Sequence, residues 1–373
     1  MNFLKREREA LENLLPGTDH ALAAMTLTEM ERPGNPAFAV FKRLGGPALL
    51  VPERLGGRGA TALAALRAHR AIAHRAPSLA VATTMHHFTI ASLTAITSKE
   101  PGAEDELLAQ IAAENLYIGS GFAEGRTGAS IHTSALRIEP TATGFLVNGS
   151  KKPCSLSHSM DLFAFSSPPP KGMDAGLAAA IIPADTPKLE RRPFWASPIL
   201  AGAESDEVIL KDVELPEDAF FPLGGSGRSN AAQDHGFVWF EMLISVVYVG
   251  IASNLVERVL RDRRGEITER VRLAADLESA MAALEGVARA LDAGDNENDL
   301  LARVLLVRYG VQDAVNRAAT LAVELLGGNA FIRSFDVAYL QAATRVLSLH
   351  PPGRIAASAR LDAFLAGEAF VVD

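Results

Sequence analysis

Few side chains in this 373-residue chain can move a proton or hold a reactive atom, so the candidates are quickly named. The chain has nine histidines and a single cysteine, Cys154. One cysteine allows no internal disulfide, which fits a reducing, cytoplasmic compartment. His350 follows an apolar stretch and directly precedes Pro351 and Pro352. An imidazole can donate or accept near neutral pH. At a helix end it can equally well bond free carbonyls. His86 and His87 are adjacent within Thr84-Met-His-His-Phe88. Neighbours on a helix point about 100° apart, so one of the two can face a site, and His87 is the candidate. Glu241 interrupts the longest apolar run, Phe237 to Val256, and is either a buried base or the partner of an interior arginine. His69 and His74 are five apart, a poor spacing for one helix face, so no metal site is expected. Gly224-Gly-Ser-Gly227 lacks a following Gly-Lys-Ser/Thr and reads as a linker, not a phosphate loop.

The elements that would position these groups change character twice along the chain. Residues 1–117 are rich in Ala and Leu, and Thr61–Ala73 has apolar residues at helical spacing. Pro36, Pro47 and Pro52 limit helix length before it. Residues 118–222 carry short alternating runs, among them Gly144–Gly149, Leu162–Phe165, Leu177–Ile182 and Glu207–Leu210, separated by Pro, Gly and Ser. That pattern predicts a compact antiparallel β domain. After a flexible connector from Pro222, residues 223–373 are helical again, over Phe237–Asp262, Ile267–Leu291 and Asp299–Leu326, with Gly327-Gly328 as a stop. A further helix from Phe335 breaks at Pro351-Pro352, and another covers Arg354–Leu365. The predicted fold is α+β: an N-terminal helical domain, a central antiparallel β-barrel domain and a C-terminal four-helix bundle. Junctions between such domains are common ligand sites. Hydrophobic residues make up 48% and charged residues 21%, the balance of a soluble globular protein. A net charge of −8 with scattered basic residues argues against nucleic acid as a partner. Charges begin at the fifth residue, so no signal core is expected there. Glu241, Ser245 and Asn254 make the long apolar run a buried helix instead of a membrane span.

Five strings, in order along nearly the whole chain, resemble those of the acyl-CoA dehydrogenase superfamily. Val51-Pro-Glu-Arg-Leu-Gly-Gly-Arg-Gly59 is similar to its "VPEEYGGxG" turn. Gly121–Ser130 stands where the family has its "TEPxxGSD" flavin loop. Gly144–Asp161 resembles "GYxLNGxKxWITNAxxAD", and Glu207–Pro216 resembles "VxFxxVxVP". Glu324–Phe331 resembles "QxxGGxGY". The resemblance implies a flavin, FAD or FMN, between the β domain and the C-terminal helices. It places Phe122, Ala123, Glu124, Gly128, Ala129, Cys154, Ser155, Gly327 and Gly328 against that cofactor. It also implies a homo-oligomer, a dimer or tetramer, because the family completes its flavin site across subunits.

The departures bear on the chemistry. Family dehydrogenases draw a proton from the carbon beside a thioester with the Glu of "RDARxxxIYEGT". Aligned on Arg345, His350 takes the Tyr position and Pro351 the Glu position. Proline cannot act as a base. Ala123, Gly125, Ala129 and Ser130 replace family residues in the flavin loop, while Glu124 and Gly128 persist. Arg261-Asp-Arg-Arg-Gly-Glu266 stands where "RxxFG" would help hold the dinucleotide half of FAD, which leaves FMN open. Ser348-Leu-His-Pro351 resembles the "LHDP" of the reduced-flavin monooxygenase branch, with Pro351 in place of the Asp. That branch pairs this His with a Ser in the "KxFYS" stretch and a His of the N-terminal bundle. Ser155 and His87 take those places here, although Ser155 could be a plain strand hydroxyl.

Three readings follow. In the first, the chain is a reduced-flavin monooxygenase for a small hydrophobic or aromatic substrate, fed by a separate flavin reductase. Such chemistry wants hydrogen-bond donors and a pocket that keeps water out, not a strong carboxylate base. In the second it is an acyl-CoA dehydrogenase whose base has moved to Glu241. In the third it has lost catalysis and serves as a binding or scaffold subunit.

Overall fold

The computed structural model describes residues 1–97, 102–125, 133–223, 231–295 and 298–370. Seven helices come first: α1 (Lys5–Leu14), α2 (Thr18–Ala23), α3 (Leu27–Met30), α4 (Ala37–Arg43), α5 (Ala62–Arg75), α6 (Pro77–Thr97) and α7 (Ala103–Glu114). Thr61 caps α5 by accepting a hydrogen bond from the Ala64 N–H at 3.2 Å. Pro77 opens α6 in the first turn, where its missing N–H costs no intrahelical bond.

Eight strands follow: β1 (Ile118–Gly121), β2 (Arg137–Pro140), β3 (Phe145–Cys154), β4 (Leu162–Ser167), β5 (Leu177–Pro183), β6 (Leu189–Arg192), β7 (Asp206–Leu215) and β8 (Phe220–Leu223). They form two four-stranded sheets, β1-β4-β5-β8 and β2-β3-β7-β6. All pairings are antiparallel except β1 with β4. The described strands therefore make two open sheets instead of a closed ring, so the barrel becomes a two-sheet β region between helical parts. Residues from both sheets, including Val147, Phe163 and Val208, are buried in the common core.

The C-terminal part is built on α8 (Ala231–Arg261), α9 (Ile267–Asp292), α10 (Asn298–Leu326), α11 (Gly328–Arg333), α12 (Phe335–Thr344) and α13 (Arg354–Leu365). A 3-10 turn, Arg345–Leu349, links α12 to His350. The long apolar run lies in α8, and 89% of its most apolar window is buried within the protein. The run is apolar because α8 is the central core helix, packed on α5, α6 and α10. Gly250 allows a close crossing with α5: a Cβ there would lie 2.6 Å from both the Arg70 carbonyl oxygen and the Ala73 Cβ.

A buried polar knot ties the three parts together. Glu31, just after α3, accepts from the Ser78 N–H at 2.9 Å, from the Ser78 hydroxyl and from the Tyr339 hydroxyl of α12. Tyr339 in turn accepts from the Leu200 N–H, ahead of β7, at 2.7 Å. Burial pushes the Glu31 carboxyl up to about 7, against these hydrogen bonds. The knot fixes the N-terminal helices against both the β region and α12.

Candidate active site

A series of aromatic contacts crosses the junction. Phe122, just past β1, meets Phe88 of α6 at a ring-centroid distance of 6.1 Å. Phe88 meets Phe240 of α8 at 6.0 Å, and Phe240 meets His350 at 6.3 Å. The His350 ring lies 5.6 Å from that of Tyr248, also on α8. Edge-to-face geometry at these distances is favourable and leaves little room for water between the rings. All three parts of the fold thus contribute to one apolar wall, with His350 at its end. Tyr248 is buried, and its hydroxyl oxygen is 2.7 Å from His350 Nε2. Burial first, and the nearby Arg308 cation second, push the His350 imidazole down to about 3. The ring is neutral at neutral pH.

Arg308 of α10 anchors the turn that carries His350. Its side chain is fully buried and paired with the buried Glu241 carboxylate at 2.7 Å. It also donates to the backbone carbonyls of Leu347 at 3.2 Å, His350, and Pro351 at 3.3 Å. Burial raises the Glu241 carboxyl above its usual range, and Arg308 works the other way. Glu241 is thus the partner of an interior arginine. Its carboxylate is engaged in holding α10 and the 345–351 turn to α8.

The remaining candidates fall in several places. Ser155 follows β3, is nearly buried, and has its hydroxyl 3.0 Å from that of Ser205. Cys154 is buried in the core, and burial raises its thiol to about 12, so it is no thiolate. Glu124 accepts from the fully buried Lys151 ammonium at 2.7 Å, from the Ala135 N–H at 2.8 Å and from Ser134 at 3.1 Å. Burial would raise that carboxyl, but these partners hold it below its ordinary value. Ala123 receives the Lys152 N–H on its carbonyl at 2.9 Å, which pins the flavin-loop segment to β3. Gly327 sits at φ +81° between α10 and α11, and a Cβ on either Gly327 or Gly328 would meet nothing within 4 Å. Gly128 and Ala129 lie outside the described residues.

His87 points into the core of the N-terminal helices. Its ring packs against His69 and His86, each at 5.0 Å, and against Phe41 at 6.4 Å. Neither of its ring nitrogens has a hydrogen-bond partner among the described residues. His86 is satisfied: Nδ1 accepts from the Ile118 N–H at 3.0 Å, so Nε2 carries the proton donated to the Pro47 carbonyl at 2.8 Å. His86 thereby ties α6 to β1, the strand leading to Phe122. Three site residues had escaped the reading of the chain: Tyr248, Arg308 and Phe240. Tyr248 could have been found, because it lies seven residues after Glu241 and so on the same face of α8.

Two outcomes follow. Burial pushes His69 and His86 down to about 4 and His87 well below its ordinary 6.5. The unfolded chain therefore binds more protons than the folded one below about pH 6.5, and stability is lost as pH falls from there. Each histidine contributes a slope of about 1 kcal/mol per pH unit. In urea unfolding at several pH values, His87→Leu should show a shallower loss than the wild type. An unchanged slope would mean that His87 is protonated or wet in the native state. Glu241→Gln leaves Arg308 buried without a counter-charge and should cost about 3–5 kcal/mol of unfolding free energy. A loss below about 1 kcal/mol would show that Arg308 does not depend on Glu241.

Comparison with known proteins agrees with this architecture. Residues 256–351 match the family described as "Acyl-CoA dehydrogenase, C-terminal domain". An isobutylamine N-hydroxylase from Streptomyces viridifaciens is 44% identical over 374 residues, covering 98% of this chain and 99% of that one. A structure of KijD3 in complex with FMN and dTDP-3-amino-2,3,6-trideoxy-4-keto-3-methyl-D-glucose is similar with a TM-score of 0.84 at 19% identity, over 97% of this chain and 94% of the other. The dibenzothiophene monooxygenase TdsC from Paenibacillus sp. A11-2 gives a TM-score of 0.80 at 18% identity, over 98% of each chain. With 98% of its length matched by an N-hydroxylase at 44% identity, the chain belongs to the acyl-CoA dehydrogenase superfamily and, within it, to the flavin-dependent monooxygenase branch.

Proposed function

We propose that the chain hydroxylates the nitrogen of a small aliphatic primary amine. The observation that carries this reading is the state of the turn where a dehydrogenase would hold its base. It presents a neutral imidazole, His350, and the nearby carboxylate, Glu241, is committed to Arg308. Such a site offers hydrogen-bond donors and no strong base. The similarity to an isobutylamine N-hydroxylase supports the amine as substrate class. The overall reaction is amine plus oxygen plus reduced flavin, giving hydroxylamine, water and oxidised flavin. One oxygen atom enters the new N–O bond, and the other leaves as water with two hydrogens.

Bound reduced flavin would supply the two electrons for that reduction, delivered by a separate reductase. The chain's own contribution is placement and exclusion of water. The backbone at Phe122 and Ala123 and the Ser155 hydroxyl, which can rotate away from Ser205, would hold the ring system. Phe88, Phe122 and Phe240 would take the alkyl group. An amine buried against such a wall is held in its uncharged form, because desolvation disfavours ammonium just as it does for a buried lysine. The free lone pair is the form that can attack oxygen.

A second copy of the chain completes this reading. Ile332, Phe335, Leu349 and Ile355 are 80%, 52%, 76% and 93% exposed on the elements that follow Gly328. Isolated exposed apolar residues are ordinary, but several on successive elements mark a contact surface. Between α9 and α10, a cleft of about 440 Å³ is lined by Arg272, Arg317 and Arg345 together with Asp276 and Glu324, and Arg317 is paired with Asp276 at 2.8 Å. Arg272 and Arg345 are the guanidinium groups left to meet a phosphate, such as that of a flavin held by the second copy.

The test is direct. Isobutylamine incubated with the protein, reduced FMN or FAD and air should yield the hydroxylamine, read by mass spectrometry. His350→Gln and Ser155→Ala should each lower turnover by about a hundredfold. If no short alkylamine gives a hydroxylamine, and an acyl-CoA bleaches the bound flavin without oxygen, the reading is wrong.

A further inference from the structure

We infer that Tyr248 is a positioning residue for His350: its hydroxyl donates to Nε2, which fixes the imidazole as the Nδ1–H form and leaves that N–H as the ring's donor on the side away from Tyr248. The inference rests on the reading of His350 as the group that touches the reacting atoms, and it specifies what that group can do.

The direction of the hydrogen bond follows from burial. The two atoms are 2.7 Å apart, and Tyr248 has no solvent exposure. Two arrangements fit that distance. If Nε2–H donated to the hydroxyl oxygen, the Tyr248 hydroxyl hydrogen would be buried with no acceptor among the described residues. A buried donor left without an acceptor loses its hydration and gains nothing in return. If Tyr248 donates, its hydrogen is satisfied. The remaining ring hydrogen then sits on Nδ1 of His350, which is only partly buried. Free imidazole tautomers differ little in energy, so the hydrogen bond of one nitrogen decides where the proton resides.

Charge transfer within the pair is blocked from both sides. Burial pushes the Tyr248 hydroxyl far up and the His350 imidazole down, and the Arg308 cation adds to the second effect. A tyrosinate–imidazolium pair would place another cation beside Arg308, whose charge Glu241 already balances. The pair therefore stays neutral.

The geometry is fixed at two points. Arg308 grips the His350 backbone carbonyl, and Tyr248 holds the far nitrogen of its ring. Glu241 and Tyr248 are one heptad apart on α8, so a single helix face supplies both the carboxylate that retains Arg308 and the hydroxyl that orients the ring. A neutral N–H held in this way is a preorganised donor for an oxygen atom that gains negative charge. It is not a proton acceptor. The proton lost by the amine nitrogen must therefore leave by another group or with the departing oxygen.

The test uses the full-length protein carrying ¹⁵N-labelled histidine. Long-range ¹H–¹⁵N correlation separates the tautomers of the nine histidines, and His350→Gln identifies the His350 signals by their loss. The wild type should show His350 as Nδ1–H. Tyr248→Phe keeps the ring and removes the hydroxyl. It should move His350 to a mixture or to Nε2–H and lower kcat for amine hydroxylation about tenfold or more, with KM within about twofold. A wild-type signal of Nε2–H overturns the inference whether or not the variant folds. So does a folded Tyr248→Phe protein with unchanged tautomer and kcat. If His350→Gln retains full turnover, the proposed role of His350 itself falls, whereas a dead His350→Gln with Nε2–H in the wild type removes only the role of Tyr248.

Discussion

Arg308 is buried without access to water, and that constraint organises much of what surrounds it. A guanidinium removed from solvent costs several kcal/mol unless a counter-charge and acceptors replace the water. Glu241 supplies the charge, and the carbonyls of Leu347, His350 and Pro351 supply the acceptors. Leu347 also accepts from the His350 N–H at 3.4 Å, whereas the carbonyls of His350 and Pro351 at the end of the 3-10 turn have no other donor among the described residues. Each side needs the other, so α8, α10 and the 345–351 turn are locked into one arrangement. His350 takes its position from that lock.

The same lock bears on the chemistry. A carboxylate next to a reactive turn suggests proton abstraction, and Glu241 sits close enough in sequence pattern to invite that assignment. Its ion pair gives it a different task. The Arg308 cation also disfavours a second positive charge on His350, which burial already opposes. A site with a neutral imidazole, hydroxyl groups and an aromatic wall is suited to donating hydrogen bonds and excluding water. That combination serves oxygen transfer better than removal of a proton from carbon.

Much of the architecture was legible in the chain. The long helices followed their apolar period: Ile267–Leu291 and Arg354–Leu365 were read almost to the residue, against Ile267–Asp292 and Arg354–Leu365 in the structure. Strands β3, β4, β5 and β7 showed as alternating or apolar runs, but β1, β2, β6 and β8 are four residues each and too short to carry a period. Sheet closure was not readable, because it depends on pairings distant in sequence. The two possible roles of Glu241 could be named, but choosing between them required Arg308, which is 67 residues away. The orientation of His87 was hidden for a related reason. Adjacent positions on α6 both face protein, and only the packing of α5 and α4 shows that the second one meets His69 and Phe41.

The central proposal is that the junction walled by Phe88, Phe122 and Phe240, with His350 at its end, is where flavin and substrate meet, and that Ser155 reaches the flavin there. A crystal structure with FMN or FAD bound tests it most directly. The account predicts the isoalloxazine ring within hydrogen-bond reach of the Ser155 hydroxyl, about 3 Å, with the His350 imidazole facing the same pocket and Arg308 still paired with Glu241. A flavin bound elsewhere, or one that contacts Ser155 while His350 remains sealed behind Phe240, would contradict it.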